Sequence, residues 1–240
     1  MEGPLQMIPK VIHYCWFGRG KLSDLAVSCI GSWRKLLPEY EIKIWNEDNF
    51  DVNCCEFTKE AYDLRKFAFV ADYVRLYALH TEGGIYLDTD VEVIRPFDDL
   101  LELDGFIGFE EGPHIGTAVL GAVASSSWTR GIIAHYADVG FINWNGSLND
   151  KPNPYIFESY FLQYGLSLDG ALQDVCEGVR FLPLEYLCGK EYSSGALRIT
   201  NDTYCIHHYE GSWVDSGMVL GRLFKRLTRI VNKVINSALA

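Results

Sequence analysis

Apolar residues along this chain switch between two periods, and each switch marks an element boundary. From Pro9 to Phe17 the run PKVIHYCWF is dense in β-formers and reads as a buried strand, opened by Pro9 and stopped by Gly18. Leu25, Cys29, Ile30, Trp33, Leu36 and Leu37 then fall on one helical face; Ser23 or Asp24 can cap that helix and Pro38 ends it. Tyr40 to Trp45 alternates as a strand, so the first three elements read as a βαβ unit. A polar loop follows over 46–56. Phe57 to Thr81 reads as a short helix running into a longer one, where Phe67, Val70, Ala71, Val74, Tyr77 and Ala78 recur at helical intervals. Gly83 and Gly84 supply a left-handed stop. A strand is predicted at 85–87, continuing at 91–94 after two aspartates, and 97–102 reads as a turn or short helix. Further strands are predicted over 105–110, 118–124 and 203–208, and helices over 127–136 and 154–164. Residues 140–154 are irregular, and 165–200 alternate short elements with turns. The final 24 residues pattern as one amphipathic helix.

Alternating strands and helices of this kind predict an α/β fold. Composition changes that picture little. At 240 residues and 48% apolar, the chain suits a globular domain with a full-sized core. The aromatic share of 14% is high; large flat side chains suit nucleobases and sugar rings, or simply a dense aromatic core. A net charge of −11 argues against nucleic acid as a partner. That charge is uneven, because 217–240 carries Arg222, Lys225, Arg226, Arg229 and Lys233 and no acid. The chain therefore divides into a body over 1–216 and a basic amphipathic helix over 217–240. Seven scattered cysteines without a C-x-x-C pair fit a reducing compartment. MEGPLQMIPK has neither the basic nor the apolar region of a signal peptide, and no stretch approaches 18 apolar residues. A cytoplasmic protein without a membrane-spanning helix is the expectation.

The candidate chemistry centres on Asp88 and Asp90, which follow the apolar strand Gly-Gly-Ile-Tyr-Leu. A bare D-x-D is often a solvated turn. Here the pair lies where a buried strand runs out, the usual place for ligand chemistry in an α/β sheet. Two hard carboxylates suit a divalent cation such as Mn²⁺ or Mg²⁺. Asp72 and Arg75 lie three residues apart on the preceding helix and share a face. They form either a local ion pair of small value or a sugar- and phosphate-binding pair, since the guanidinium fork suits phosphate. Trp16, at the end of the first strand, could stack on a base or sit in the core. One histidine of His207-His208 could complete a metal site with the aspartates.

Three segments in order, IPKVIHYCWFG, ADYVRLYALHTEGGIYLDTD and IHHYEGSW, resemble glycosyltransferase family 32. These are D-x-D sugar transferases that include capsular-polysaccharide enzymes and initiating mannosyltransferases, with the glucosylating toxins as more distant relatives. The resemblance covers residues 8 to 213. It implies a GT-A fold, a Rossmann-like mixed sheet flanked by helices, and a retaining transfer from a UDP- or GDP-sugar with Mn²⁺ or Mg²⁺. It implies that Trp16 stacks on the base and that Asp72 and Arg75 bind the donor sugar and phosphate side. Asp88 then reaches the ribose or sugar and the metal's water shell, and Asp90 ligates the metal. His208 is the implied third ligand, with His207 ranked behind it. Ser212 and Trp213 close over the diphosphate. Tyr86 joins the substrate-binding group, and Asp88, Asp90 and Arg75 form the catalytic group.

No carboxylate stands out as an enzyme nucleophile; Glu110, Glu111 and Glu158 read as structural or acceptor-binding. The acceptor is expected to be a saccharide or a lipid-linked sugar in surface polysaccharide synthesis. The 217–240 helix is expected at an anionic membrane surface, on its inner, cytoplasmic face. Two other readings compete. One is a nucleotide-sugar-binding protein of the same fold without turnover. The other is a metal-dependent phosphohydrolase, which needs further ligands near the first strand, where only His13 is present.

Overall fold

The computed structural model describes residues 7–112, 114–175 and 178–211. The helix expected over 217–240, together with Ser212 and Trp213, lies outside the described residues. The first β-formers become β1 (Val11–Cys15), the amphipathic run becomes α1 (Asp24–Leu36), and the alternating run becomes β2 (Glu41–Trp45). Ser23 caps α1 by accepting from the Ala26 amide at 3.1 Å. Two helices follow, α2 (Glu56–Asp63) and α3 (Phe67–Glu82), and then β3 (Gly84–Leu87). The chain continues through β4 (Val91–Val93), β5 (Gly105–Glu110), β6 (His114–Ala122), α4 (Ser127–Ala134) and α5 (Asn153–Phe161). It closes with β7 (Gln173–Val175), β8 (Val179–Leu182), the short α6 (Leu184–Leu187) and β9 (Cys205–His207).

Seven strands form one mixed sheet in the order β2-β1-β3-β6-β5-β8-β7. The β1 strand runs parallel to both β2 and β3, as the βαβ reading requires, whereas β6 is antiparallel to β3 and β5. Side chains alternate across the sheet. Tyr86, Ile107 and Phe109 pack on the face covered by α2 to α5, while Ile85, Leu87 and Phe106 pack on the α1 side. This is the α/β architecture that the resemblance implies, a mixed sheet with helices on both faces.

Two expectations need correction. The strand after the aspartates does not prolong β3. It leaves the main sheet and pairs antiparallel with β9 in a separate two-stranded ribbon. The ribbon is held on α1, where Trp33 Nε1 donates to the Val91 carbonyl at 2.8 Å and the Val93 amide donates to Ser32 Oγ at 3.0 Å. In addition, β6 begins at His114 rather than 118, because the chain pairs with the end of β5 before an irregularity that residue patterning does not reveal. Among the described residues no helix is long and apolar enough to cross a membrane.

Candidate active site

The site is built where α3 turns directly into β3. Gly83 and Gly84 adopt φ of +67° and +111°, and a Cβ on Gly84 would meet the Val11 carbonyl at 2.6 Å. Only glycine allows this close, left-handed passage between β1 and the returning helix. It seats α3 over the sheet with Asp72 and Arg75 facing the carboxyl end of β3. His13, beneath this turn, is not a free ligand. Its Nε2 bonds the Gly83 carbonyl at 2.8 Å and its Nδ1 accepts from Trp45 Nε1 at 3.0 Å. Burial pushes its pKa down, so it serves the core as a neutral ring.

Arg75 is the hub. Its side chain is only 6% exposed, so the solvated surface pair considered from spacing is not what forms. Nη1 donates to the Thr117 carbonyl at 2.7 Å, and Nη2 lies 2.8 Å from Asp72 Oδ1 and 3.5 Å from Asp88 Oδ1. The guanidinium also lies 4.8 Å from the centre of the Tyr86 ring. Burial works against its charge, but Asp88, Tyr86 and Asp72 more than offset that and keep it cationic. Burial raises both carboxylates: Asp72 is pushed up to about 6, and Asp88 also moves upward, with Arg75 opposing each shift.

Tyr86 is buried, at 1% exposure, and its hydroxyl donates to Asp88 Oδ1 at 2.7 Å. It therefore sets the aspartate's orientation rather than offering a surface to a sugar. Asp88 keeps 29% of its side chain exposed and stays within reach of a ligand.

The irregularity in β6 supplies the acceptors. Ile107 pairs with Leu120, but the next residue, Gly108, pairs with Gly116, so Thr117 to Val119 bulge out of the β5 ladder. The freed carbonyl of Thr117 takes Arg75, and that of Ala118 takes the Asp88 amide at 2.8 Å.

The histidine beside the aspartates is His207, not the expected His208. Asp88, Asp90 and His207 each offer one ligand atom, all within 4.8 Å of one another. His207 Nε2 lies 3.5 Å from Asp90 Oδ1, and Nδ1 lies 3.3 Å from Glu110 Oε1. Neighbouring residues of an extended chain point to opposite sides, so the ring of His208 turns instead to Glu92 at 2.9 Å, while its amide holds the Asp90 carbonyl. Burial disfavours a charged His207, but the closeness of Asp90, Cys188 and Glu110 outweighs it and raises the imidazole well above its usual range.

Trp16 is half-buried at the carboxyl end of β1, with its indole NH bonded to the Gly20 carbonyl at 2.8 Å. Extending the β1–β3 register, in which His13 faces Tyr86, sets Trp16 level with Thr89 between the two aspartates. Two residues on, Gly18 walls an open cavity of about 370 Å³ that Arg19, Tyr62, Arg65 and Phe67 also line. Trp16, Asp72, Arg75, Asp88, Asp90 and His207 thus gather at one end of the sheet. Sequence reasoning missed the Thr117 carbonyl and Asn153, whose amide donates to the Asp72 carbonyl at 3.3 Å. A carbonyl leaves no trace in residue type, and Asn153 had only its place at the start of a predicted helix.

Residues 23–106 match the family described as glycosyltransferase sugar-binding region containing DXD motif. Glucan organizing enzyme 1 of Cryptococcus neoformans is 50% identical over 50 residues, covering 21% of this chain and 14% of that protein. Mannosyl phosphorylinositol ceramide synthase CSH1 of Saccharomyces cerevisiae is 28% identical over 133 residues, covering 51% and 33%. Inositol phosphoceramide mannosyltransferase 3 of Schizosaccharomyces pombe is 26% identical over 125 residues, covering 48% and 33%. The matches thus span a third or less of the length of these relatives. The motif of the family description is Asp88-Thr89-Asp90, at the mouth of the buried Asp72–Arg75 pair, so residues 23–106 are similar to the DXD-containing sugar-binding region of glycosyltransferases.

Proposed function

We propose that this protein is a retaining, metal-dependent GT-A glycosyltransferase. It moves a hexose from a nucleotide-diphosphate sugar to a saccharide or lipid-linked acceptor. The observation that carries the reading is the convergence of Asp88, Asp90 and His207 within 4.8 Å beside the buried Arg75. Two hard oxygens and an imidazole nitrogen fit Mn²⁺ well and Mg²⁺ less well. Bound there, a divalent cation supplies Lewis-acid stabilisation of charge on the diphosphate.

The chain's own residues do the rest. Arg75 is held rigidly by Thr117 and Asp72 and adds a fixed positive charge where the leaving group becomes more negative. The exposed part of Asp72 accepts from a sugar hydroxyl, and Trp16 stacks on the base. Tyr86 locks Asp88 in place. Ser212 and Trp213 are assigned to the diphosphate from their place in the sequence. Two relatives carry names referring to mannosyl or mannosyltransferase chemistry on inositol phosphoceramide, so GDP-mannose is the first donor to test and an inositol phospholipid the first acceptor. Residues 1–216 are taken as the catalytic domain. The basic helix over 217–240 is taken as a contact with the inner membrane face, where the product would enter a surface polysaccharide or glycolipid.

The test is transfer from UDP- and GDP-hexoses with Mn²⁺, comparing the wild type with Asp90→Ala. Transfer by the wild type that is lost in the variant supports the reading. A wild type that binds donors but never transfers would favour a sugar-nucleotide-binding role instead.

A further inference from the structure

Glu110 ends β5 and, like its pairing partner His114, lies beyond the β6 irregularity. The register jump there carries its carboxylate toward the β4–β9 ribbon, although the two belong to different sheets. Gly116 leaves the space this needs, because a Cβ there would meet Glu110 Cγ at 2.9 Å and Oε1 at 3.2 Å. The result is a carboxylate oxygen 3.3 Å from His207 Nδ1. That nitrogen is buried and makes no hydrogen bond of ordinary geometry, which leaves a costly group in search of a partner. The cavity that Glu110, Cys188 and His207 share is about 10 Å³, at the lower limit for even one water. The Cys188 thiol is already engaged by the Lys190 carbonyl and the Tyr209 hydroxyl. Glu110 is the acceptor at hand.

We propose that Glu110 is the positioning residue of the metal site. Its carboxylate accepts the Nδ1–H of His207 and so holds the tautomer that leaves Nε2, on the side of Asp90, as a free ligand atom. A histidine ligand held by a carboxylate on its other nitrogen is both better oriented and more basic. The inference rests on the metal-dependent reading above and adds a residue to it. Glu110 thereby acts through His207 and not on the sugar.

Mn²⁺ binding to the full chain, read by electron paramagnetic resonance titration without donor, tests this directly. Glu110→Ala is expected to weaken Mn²⁺ binding by about 10–100-fold. Glu110→Gln keeps an oxygen acceptor for Nδ1 and is expected to retain much more of the affinity. Gly116→Ala, which leaves Glu110 in the chain but crowds its seat, is expected to weaken binding in the same direction. Thermal melting of each variant separates unfolding from loss of the ligand. A wild type that binds no Mn²⁺ overturns the metal reading and this inference together. A wild type that binds, with a folded Glu110→Ala that binds equally well, overturns only the role of Glu110.

Discussion

Arg75 shows how one buried charge can organise a site. Its fork reaches Thr117, Asp72 and Asp88 at once, and the ring of Tyr86 covers it. Removing a partner from such a group leaves buried charge uncompensated. Arg75→Met is therefore expected to destabilise the fold by about 3–5 kcal/mol in urea titration, and Arg75→Lys to keep part of the stability while losing the fork. Asp72 gives a pH signature. Burial raises its pKa in the fold to about 6, against an ordinary value of 3.8. The folded state thus holds the proton more tightly, and this group's contribution is fullest below about pH 4 and is lost as pH rises through about 6. The melting temperature of Asp72→Asn relative to wild type is expected to rise as pH moves from about 4 to about 7; a flat difference would contradict the shift. The i, i+3 spacing of Asp72 and Arg75 was legible in the sequence. Their burial was not, because it depends on a carbonyl from a strand some forty residues on.

At the scale of elements, the first half of the chain was legible because its periods are strong and its stops are chemical. Ser23, Pro38 and the Gly83-Gly84 pair bound helices where they were expected. The choice between His207 and His208 was not legible, since both histidines sit at the end of the same strand. Only the β4–β9 pairing decides which ring faces Asp90. The β6 irregularity was equally hidden, because register belongs to two strands and not to one. His13 ties β1, β2 and the α3 stop together through its two ring nitrogens. His13→Leu is expected to leave the Trp45 NH and the Gly83 carbonyl unpaired, at a cost of about 1–3 kcal/mol each in denaturant unfolding. Gly84→Ala is expected to be destabilising as well, by more than about 1 kcal/mol, because an alanine there must hold a positive φ against the Val11 carbonyl.

Over the whole molecule, the long sheet and the short ribbon divide the work. The parallel strands β1 to β3 bring Trp16 and Asp88 to one end, and the ribbon returns late in the chain to add His207. The proposed donor site therefore draws on residues from positions 16 to 207, and it forms only when the chain is folded. On the function proposed above, Asp88, Asp90 and His207 hold the cation that donor cleavage needs. The most direct measurement is release of nucleoside diphosphate from the active donor, with Mn²⁺ or with EDTA, by wild type, His207→Ala and His208→Ala. Release is expected with wild type and Mn²⁺ only, to fall about a hundredfold or more in His207→Ala, and to survive in His208→Ala, whose ring faces Glu92. Release that is unaffected by EDTA, or lost in His208→Ala and retained in His207→Ala, would contradict it.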